Sequence, residues 1–438
     1  MIPSKQRKQR LIATGACLGA VIGGTATLHA QTNITTNDTD KISQLEQQNQ
    51  QLQKRLQTLE DLAVKNGLMP SGDKAGDPPV SALSNFGISG FVTTSYFHDS
   101  SDPSAANGHI IPGYLWNRVN DNISINKVKL TFASPPVERS GDKFDAAYRV
   151  SFIAGQDAPI VNSGSKITGF DYLREAYLEM NIPIGTGLDF RAGELISLLN
   201  YESGDGGAVN DNFSQGFQWF FTGNGPSTAA ELGYTFTDWM TVKVRVQNGL
   251  YAGPVDNNSS KTFVGAIDLK PLTNLWVNLI GFSGREDAFS EYASGGELLA
   301  GYQLTPEFGL GTELDYFDFY NHAPTVPVGN NSVYSGGLWA SYWFRPDLGL
   351  ALRAEYLSDS HGADASGGAL GLMNPPGTGQ DITSLTLTLN YKPTPRIKVQ
   401  PEIRYDHTSW SHGWDPVTPT AFSKQNRFIY GIGASYLF

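Results

Sequence analysis

Cysteine is all but missing from this chain. Its 438 residues include one, Cys17, and that one lies in an N-terminal stretch that reads as a cleaved export signal. Without it the mature chain forms no disulfide and no thiolate metal site. Long apolar runs are missing too: after residue 30 none approaches the roughly 20 residues that a membrane helix needs, so a helical membrane protein is excluded. Charge is sparse at 17%, little for a cytosolic protein. Four of the 31 Lys and Arg residues, but none of the 42 Asp and Glu, fall in the first 30 positions. The mature chain is therefore acidic, which disfavours nucleic acid, whose phosphates demand a basic surface, and no nucleic-acid partner is expected. Catalytic groupings are also wanting. The histidines after the signal, at 98, 109, 322, 361, 407 and 412, fall at strand tips or in loops with no Gly-x-Ser-x-Gly motif nearby, so the chain does not read as an enzyme. His407 with His412 lacks a common metal-ligand spacing, the Asn/Asp-rich pieces 209–212 and 256–258 lack a full calcium-loop pattern, and no metal or other cofactor is expected.

What is present begins with Lys5, Arg7, Lys8 and Arg10, followed by an apolar stretch from Leu11 to Leu28, with cleavage expected after Ala30. Thr14-Gly15-Ala16-Cys17 lacks the apolar residue that opens a lipidation signal, so Cys17 reads as an ordinary signal residue. Residues 31–37 are polar. Residues 38–66 carry a heptad pattern, with Ile42, Asn49 and Leu56 at one core position and Leu45, Leu52 and Leu59 at the other, as in a parallel coiled coil whose lone polar Asn49 fixes register. Asn66-Gly67 and Pro70 end that helix, and residues 67–85 read as linker. A coiled coil placed there would lie in the periplasm and join copies of the chain.

Residues 86–438 read as all-β. The last stretch sets the pattern: Phe428, Tyr430, Ile432, Ala434, Tyr436 and Phe438 share one parity, while Gly431, Gly433 and Ser435 take the other. A two-residue period of large apolar against small or polar describes a strand between lipid and a wet interior. In hydrocarbon its backbone groups find partners only if the sheet closes on itself. Further strands repeat the period, as at Val242, Val244 and Val246 or Leu385, Leu387 and Leu389. Pro183 to Thr186, Thr237 to Trp239, Pro271-Leu272, Thr305 to Glu307, Arg345 to Asp347 and Lys392 to Pro395 make tight turns. The alternate connections are long and polar, such as 99–122, 199–226, 359–381 and 407–426. Short turns on one side and long loops on the other predict a transmembrane antiparallel β-barrel of about 16 strands in the bacterial outer membrane, short turns in the periplasm, and Tyr and Trp near strand ends in the interfacial girdles. Arg174 and Glu194 fall on the lipid parity and call for a bulge or a rim position, and Pro401 calls for another bulge.

The opposite parity carries charge on nearly every strand: Lys127, Lys129, Arg149, Glu175, Glu179, Arg191, Arg245, Asp268, Glu313, Asp315, Arg353, Glu355, Lys398, Glu402, Arg404 and Asp406. Unpaired ions in a dry core cost several kcal/mol each, so the expectation is a water-filled, charge-lined pore. Closing the last strand against the first places Arg353, Lys398 and Arg404 with Lys127, Lys129, Arg149 and Arg191, opposite Asp268, Glu297, Glu313 and Asp315. Two such arcs would orient dipolar solutes; the same charges paired with their neighbours would only stiffen the wall.

The segments Asp171-Tyr172-Leu173-Arg174-Glu175-Ala176-Tyr177-Leu178, Ala192-Gly193-Glu194, Val246-Gln247-Asn248-Gly249, Leu352-Arg353-Ala354-Glu355-Tyr356 and Gln400-Pro401-Glu402-Ile403-Arg404-Tyr405-Asp406 resemble those of the OmpL-like beta-barrel porins. The helical preface is similar in plan to that of the DcaP-like trimeric porins. The resemblance implies passive diffusion of small hydrophilic solutes but not which solute, and by analogy a homo-oligomer, preferably a trimer; with the charged lining, anionic or zwitterionic solutes are the expectation. It implies that the third long loop, 199–226, folds inward, with Glu202, Asp205, Asp211, Phe217 and Phe221 at a constriction. The aromatic C-terminal residue resembles the signal read by the barrel assembly machinery, and outer-membrane lipid is the other expected partner. A structural or adhesive barrel with a closed lumen is the alternative, and an outer-membrane hydrolase a more remote one.

Overall fold

The computed structural model describes residues 47–48, 51, 54–55, 87–103, 109–112, 114, 116–162, 171–222, 225–250, 256, 258–286, 292–320, 331–360, 379–410, 414 and 424–438. The chain divides into two compact units, Met1–Ser81 and Ala82–Phe438. In the first, Gln47, Gln48, Gln51, Lys54 and Arg55 are helical and exposed. The heptad core residues Ile42, Leu45, Asn49, Leu52, Leu56 and Leu59, like the signal and the linker, lie outside the described residues.

The second unit is one antiparallel sheet of sixteen strands closed into a barrel, each strand paired with its sequence neighbours and β1 with β16. The strands are β1 (Gly87–Asp99), β2 (Asn122–Ala133), β3 (Asp145–Ala154), β4 (Leu173–Ile182), β5 (Leu188–Leu195), β6 (Ser227–Thr237), β7 (Met240–Gln247), β8 (Thr262–Leu272), β9 (Leu275–Arg285), β10 (Tyr292–Gln303), β11 (Phe308–Tyr320), β12 (Asn331–Arg345), β13 (Leu348–Asp359), β14 (Gln380–Thr394), β15 (Ile397–Thr408) and β16 (Asn426–Leu437). Closure satisfies the backbone of the terminal strand: Gly90 N donates to Phe438 O at 2.9 Å and Phe438 N returns a bond to Gly90 O at 3.0 Å. An open edge there would leave a row of unpaired amides in hydrocarbon.

The alternation expected from the sequence sorts the side chains. Phe428, Tyr430, Ile432, Val244, Val246, Leu385, Leu387 and Leu389 are exposed on the outer face, while their neighbours Ile429, Arg245, Gln247, Thr386 and Thr388 are buried. The six tight turns join strands on one side of the barrel. On that side the β2–β3 connection, 134–144, is longer, and its Arg139 reaches Asp189 (2.7 Å) and Glu179 (3.3 Å).

The parity exceptions resolve in three ways. Arg174 sits in a bulge, because the β3–β4 register passes from Ser151↔Glu175 to Phe152↔Leu173 and leaves it without a partner. The extra residue turns its side chain inward, where it is buried, donates to Val161 O and stands 3.8 Å from Asp205. Glu194 is buried without a register shift. It follows Gly193, whose φ of +135° only glycine adopts freely, and accepts from Thr228 Oγ1 at 2.6 Å. At Pro401 the expected bulge is absent. The β14–β15 register is the same on either side, Thr388↔Glu402 and Tyr391↔Val399, and the shift falls between Tyr391 and Thr394. A proline lacks one donor, so omitting local pairing is enough to accommodate it.

Candidate functional site

The connection between β5 and β6 folds into the barrel and is gripped there. Its path needs unusual backbone at two points: Asn200 takes φ +80° and Gly206 φ +72°. Ser203 N donates to Asn210 Oδ1 and Asn210 Nδ2 returns a bond to Ser203 O, both at 2.9 Å, closing a small lobe around Gly206–Ala208. A short helix, Phe217–Phe221, follows Gly216. A Cβ at 216 would fall 2.2 Å from Glu355 Oε1, so a larger residue there would displace the carboxylate that receives Gln218 N.

Side chains from β2 and from β10 to β15 hold this segment, largely through its backbone. Asn200 N donates to Glu297 at 2.8 Å, and Tyr201 N (2.7 Å) and Asn200 Nδ2 (3.1 Å) donate to Glu313. Glu202 accepts from Arg353 at 2.7 Å, from Gly216 N at 2.8 Å and from Trp339 Nε1 at 3.2 Å. Asp205 pairs with Lys129 at 2.6 Å. Lys398 donates to Gly207 O at 3.1 Å, and the Asp211 carbonyl accepts from Asn390 at 2.8 Å. Glu402 takes the amides of Phe213 (2.7 Å) and Ser214 (3.2 Å), while Arg353 and Arg404 donate to the carbonyls of Ser214 (2.6 Å) and Gln215 (2.8 Å). Glu355 receives Gln218 N at 3.1 Å, and Asp315 receives Gln218 Nε2 at 2.8 Å and Thr222 Oγ1 at 3.0 Å. Charge-assisted bonds of this kind are about twice as strong as neutral ones. Breaking one leaves a buried partner uncompensated.

The sixteen interior charges singled out in the sequence therefore fall into two groups. Lys127, Lys129, Glu175, Arg245, Glu313, Asp315, Arg353, Glu355, Lys398, Glu402, Arg404 and Asp406 are buried, so the expectation that hydration keeps them stable gives way to ion pairs for some and hydrogen bonds to the inserted segment for others. Lys127 stands 3.5 Å from Asp157 and 3.8 Å from the Trp116 ring, Arg245 pairs with Glu231 at 2.7 Å, and Arg404 pairs with Asp406 at 2.7 Å. Glu297, Glu313 and Asp315 bring carboxylate oxygens within 4.8 Å of one another and form no ion pair among the described residues. The second group keeps its exposure. The side chain of Arg149 is 39% exposed, Arg191 27%, and the Lys243–Asp268 pair 23% each. Glu179 is half-buried and binds Arg191 at 2.9 Å. The two opposed arcs are not both open to the lumen. The acidic arc from β10 and β11 and the basic arc from β13 and β15 meet the inserted segment instead of water.

Of the five constriction candidates, Glu202 and Asp205 anchor the segment, and Phe217 packs between the Arg404 guanidinium (4.3 Å) and the Trp414 ring (5.7 Å). Asp211 lines a cavity of about 1230 Å³ beside the segment. The Phe221 side chain lies outside the described residues. Two participants were not singled out in the sequence. Arg427, on the same parity as Gly431 and Gly433, bridges Asp406 (3.0 Å) and Asp99 (3.3 Å) and lies 3.8 Å from the Trp414 ring, and alternation alone would have placed it inward. Arg139 lies in a turn, where no period points anywhere. Toward the long-loop ends, inward positions are apolar: Val264, Ile280, Phe282, Phe317, Val333, Leu357 and Ile382 form one buried cluster with Trp116, Phe217, Trp219 and Phe220.

The family model described as "putative beta-barrel porin-2, OmpL-like" matches residues 85–436. No curated protein matches the sequence. Among solved structures, the chain is similar to an anion-selective porin from Comamonas acidovorans (12% identity, TM-score 0.53, covering 81% of this chain and 99% of that one). It is also similar to the outer membrane protein OmpT of Vibrio cholerae in its trimer form (15%, 0.52, 81% and 99%) and to the outer membrane channel DcaP of Acinetobacter baumannii (14%, 0.51, 81% and 97%). At these identities the likeness is one of fold.

Proposed function

The chain belongs to the OmpL-like beta-barrel porin family and is an outer-membrane porin, and from that premise we propose that residues 199–222 form its constriction and that solutes pass along the β3–β8 side. One observation carries this reading: the segment is bonded to β2 and to β10–β15, while Arg149, Arg191, Lys243, Glu179 and Asp268 remain within reach of water. Small hydrophilic solutes bearing negative charge, or both signs, fit a path edged by three cations and two carboxylates, since such a path favours a matching charge distribution. Function here is passage, with no catalytic step. Planar-bilayer recordings of the purified protein test the reading: discrete conductance steps with anion preference are expected, and a silent or strongly cation-preferring protein refutes it. A closed structural barrel is favoured by one feature, the apolar packing of Trp116, Trp219 and Phe220 toward the long-loop end; the same recordings separate the two.

The N-terminal heptads support a periplasmic coiled coil and a homo-oligomer, for which we take three copies by analogy with trimeric porins. Chemical cross-linking after mild solubilisation should yield a trimer that is lost when residues 38–66 are deleted. Monomers alone from the full chain would reject it. The signal sequence, cleavage after Ala30 and recognition of the last strand by the barrel assembly machinery complete the proposal.

A further inference from the structure

Beneath the inserted segment, on the short-turn side, the β9–β12 wall is built differently from the rest of the lumen. Trp276 of β9, Tyr201 of the inserted segment and Trp339 of β12 form a run of nearly parallel rings. Tyr201 lies 5.8 Å from Trp276 with planes 16° apart, and 4.6 Å from Trp339 with planes 29° apart. Glycines let the rings lie against the wall. A Cβ at Gly301 would come within 2.4 Å of the Trp276 indole and one at Gly311 within 2.2 Å of the Tyr201 ring, so a larger residue at either position would push the ring off the wall. The rings border the cavity of about 1230 Å³, and Trp276 and Tyr201 keep part of their surface open to it.

The polar groups around the rings define the ligand. Asp211, Asn274, Gln303 and Ser341 line the same cavity, and Asp211 forms no ion pair among the described residues. Glu202 is already occupied by three donors. Lys270, near the end of β8, is the one basic residue among the described residues of the lining. A site with aromatic faces, uncharged donors and acceptors and the carboxylates of Asp211 and Asp238, but one cation, is poorly suited to an anion. It suits a neutral molecule that has apolar C–H faces and hydroxyl edges, because flat rings take the faces while amide, hydroxyl and carboxylate groups take the hydroxyls.

We propose that this vestibule is a binding subsite for neutral oligosaccharides, which stack on Trp276 at the short-turn mouth of the pore, with Tyr201 and Trp339 backing that ring. The proposal deepens the porin reading and rests on it, because a sugar bound there lies on a path of passage only if the lumen is aqueous and open. The site is separate from the charged path along β3–β8, so one barrel would offer one wall to ions and another to neutral polyols.

Isothermal titration of the detergent-solubilised full chain with maltohexaose tests the site, and bilayer recordings on the same preparation test the pore. Saturable binding is expected, with Trp276→Ala weakening it at least tenfold and Trp276→Phe restoring most of it. Heat-modifiable migration on gels verifies that each variant is folded. A polyethylene glycol of similar size should not bind saturably. No saturable maltohexaose binding by a protein that conducts overturns the subsite and leaves the porin intact, whereas binding by a protein that never conducts upholds the subsite and sinks the passage reading. Equal affinity in wild type and Trp276→Ala, or preference for a charged aromatic acid over the sugar, overturns the proposal.

Discussion

The wall from β10 to β15 and the wall from β3 to β8 follow the same alternation and carry similar numbers of inward charges, yet they do different work. On the first, Arg353 has no exposed side-chain surface and is held by Glu202 and Glu355; on the second, Arg191 keeps 27% exposure beside Glu179 and Asp189. The difference comes from residues 199–222, which cover most of the first wall and leave Arg149, Arg191, Lys243 and Asp268 of the second partly open, although Glu175, Glu231 and Arg245 there are buried against their neighbours. An inward charge in a barrel is therefore not by itself a pore-lining charge. Its role is set by whether another part of the chain replaces water as its partner.

The sharpest way to break this comparison is to remove one arginine from each wall. Arg353→Ala leaves Glu202 and Glu355 buried without their cation and should cost about 3–5 kcal/mol, read by urea unfolding in detergent. Arg191→Ala removes a partly solvated group and should cost less than about 1 kcal/mol. Comparable losses would erase the distinction. Deleting residues 203–212, which takes out Asp205 and the lobe closed by Asn210, should next raise single-channel conductance, whereas unchanged steps would mean that the segment does not narrow the path.

Charge reversal sharpens the picture further. Changing Arg149, Arg191 and Lys243 together to Glu should move the reversal potential toward cations, and the shift should shrink as salt approaches 1 M, where the screening length falls to about 3 Å. Arg404→Glu, buried against Asp406 and Gln215, should instead deplete folded protein. The smallest effect concerns pH. Burial raises the Asp205 carboxyl, but Lys129 and Arg174 outweigh that and hold it below the usual value. A carboxyl depressed in the folded state stabilises above its unfolded pKa, about 3.9, and that contribution is lost as pH falls through the lower folded value. The Asp205–Lys129 contact should therefore hold from pH 7 to 5 and loosen only on stronger acidification, seen as an acid step in conductance. Asp205→Asn should remove that acid step.

Much of the architecture was legible because lipid imposes one rule on every strand. The terminal Phe428 to Phe438 alternation, the Pro-marked turns and the even number of strands were all readable, and the inward parity of Arg353, Glu402 and Arg404 with them. The bulge at Arg174 was readable as a conflict, though not its outcome, an inward guanidinium near Asp205. The inward apolar positions Ile280, Phe282 and Phe317 escaped notice because a period of two says which face a residue takes but not what it meets there.

Alternation along each strand, set by hydrocarbon on one side and by the need to pair every backbone group, was enough for the sequence to determine a closed barrel in an outer membrane. Only the tertiary structure decided which interior groups stay wet. That depends on partners far apart in the chain, such as Glu202 with Arg353, 151 residues away, and Asn200 with Glu313, 113 away, and no local period encodes such a meeting.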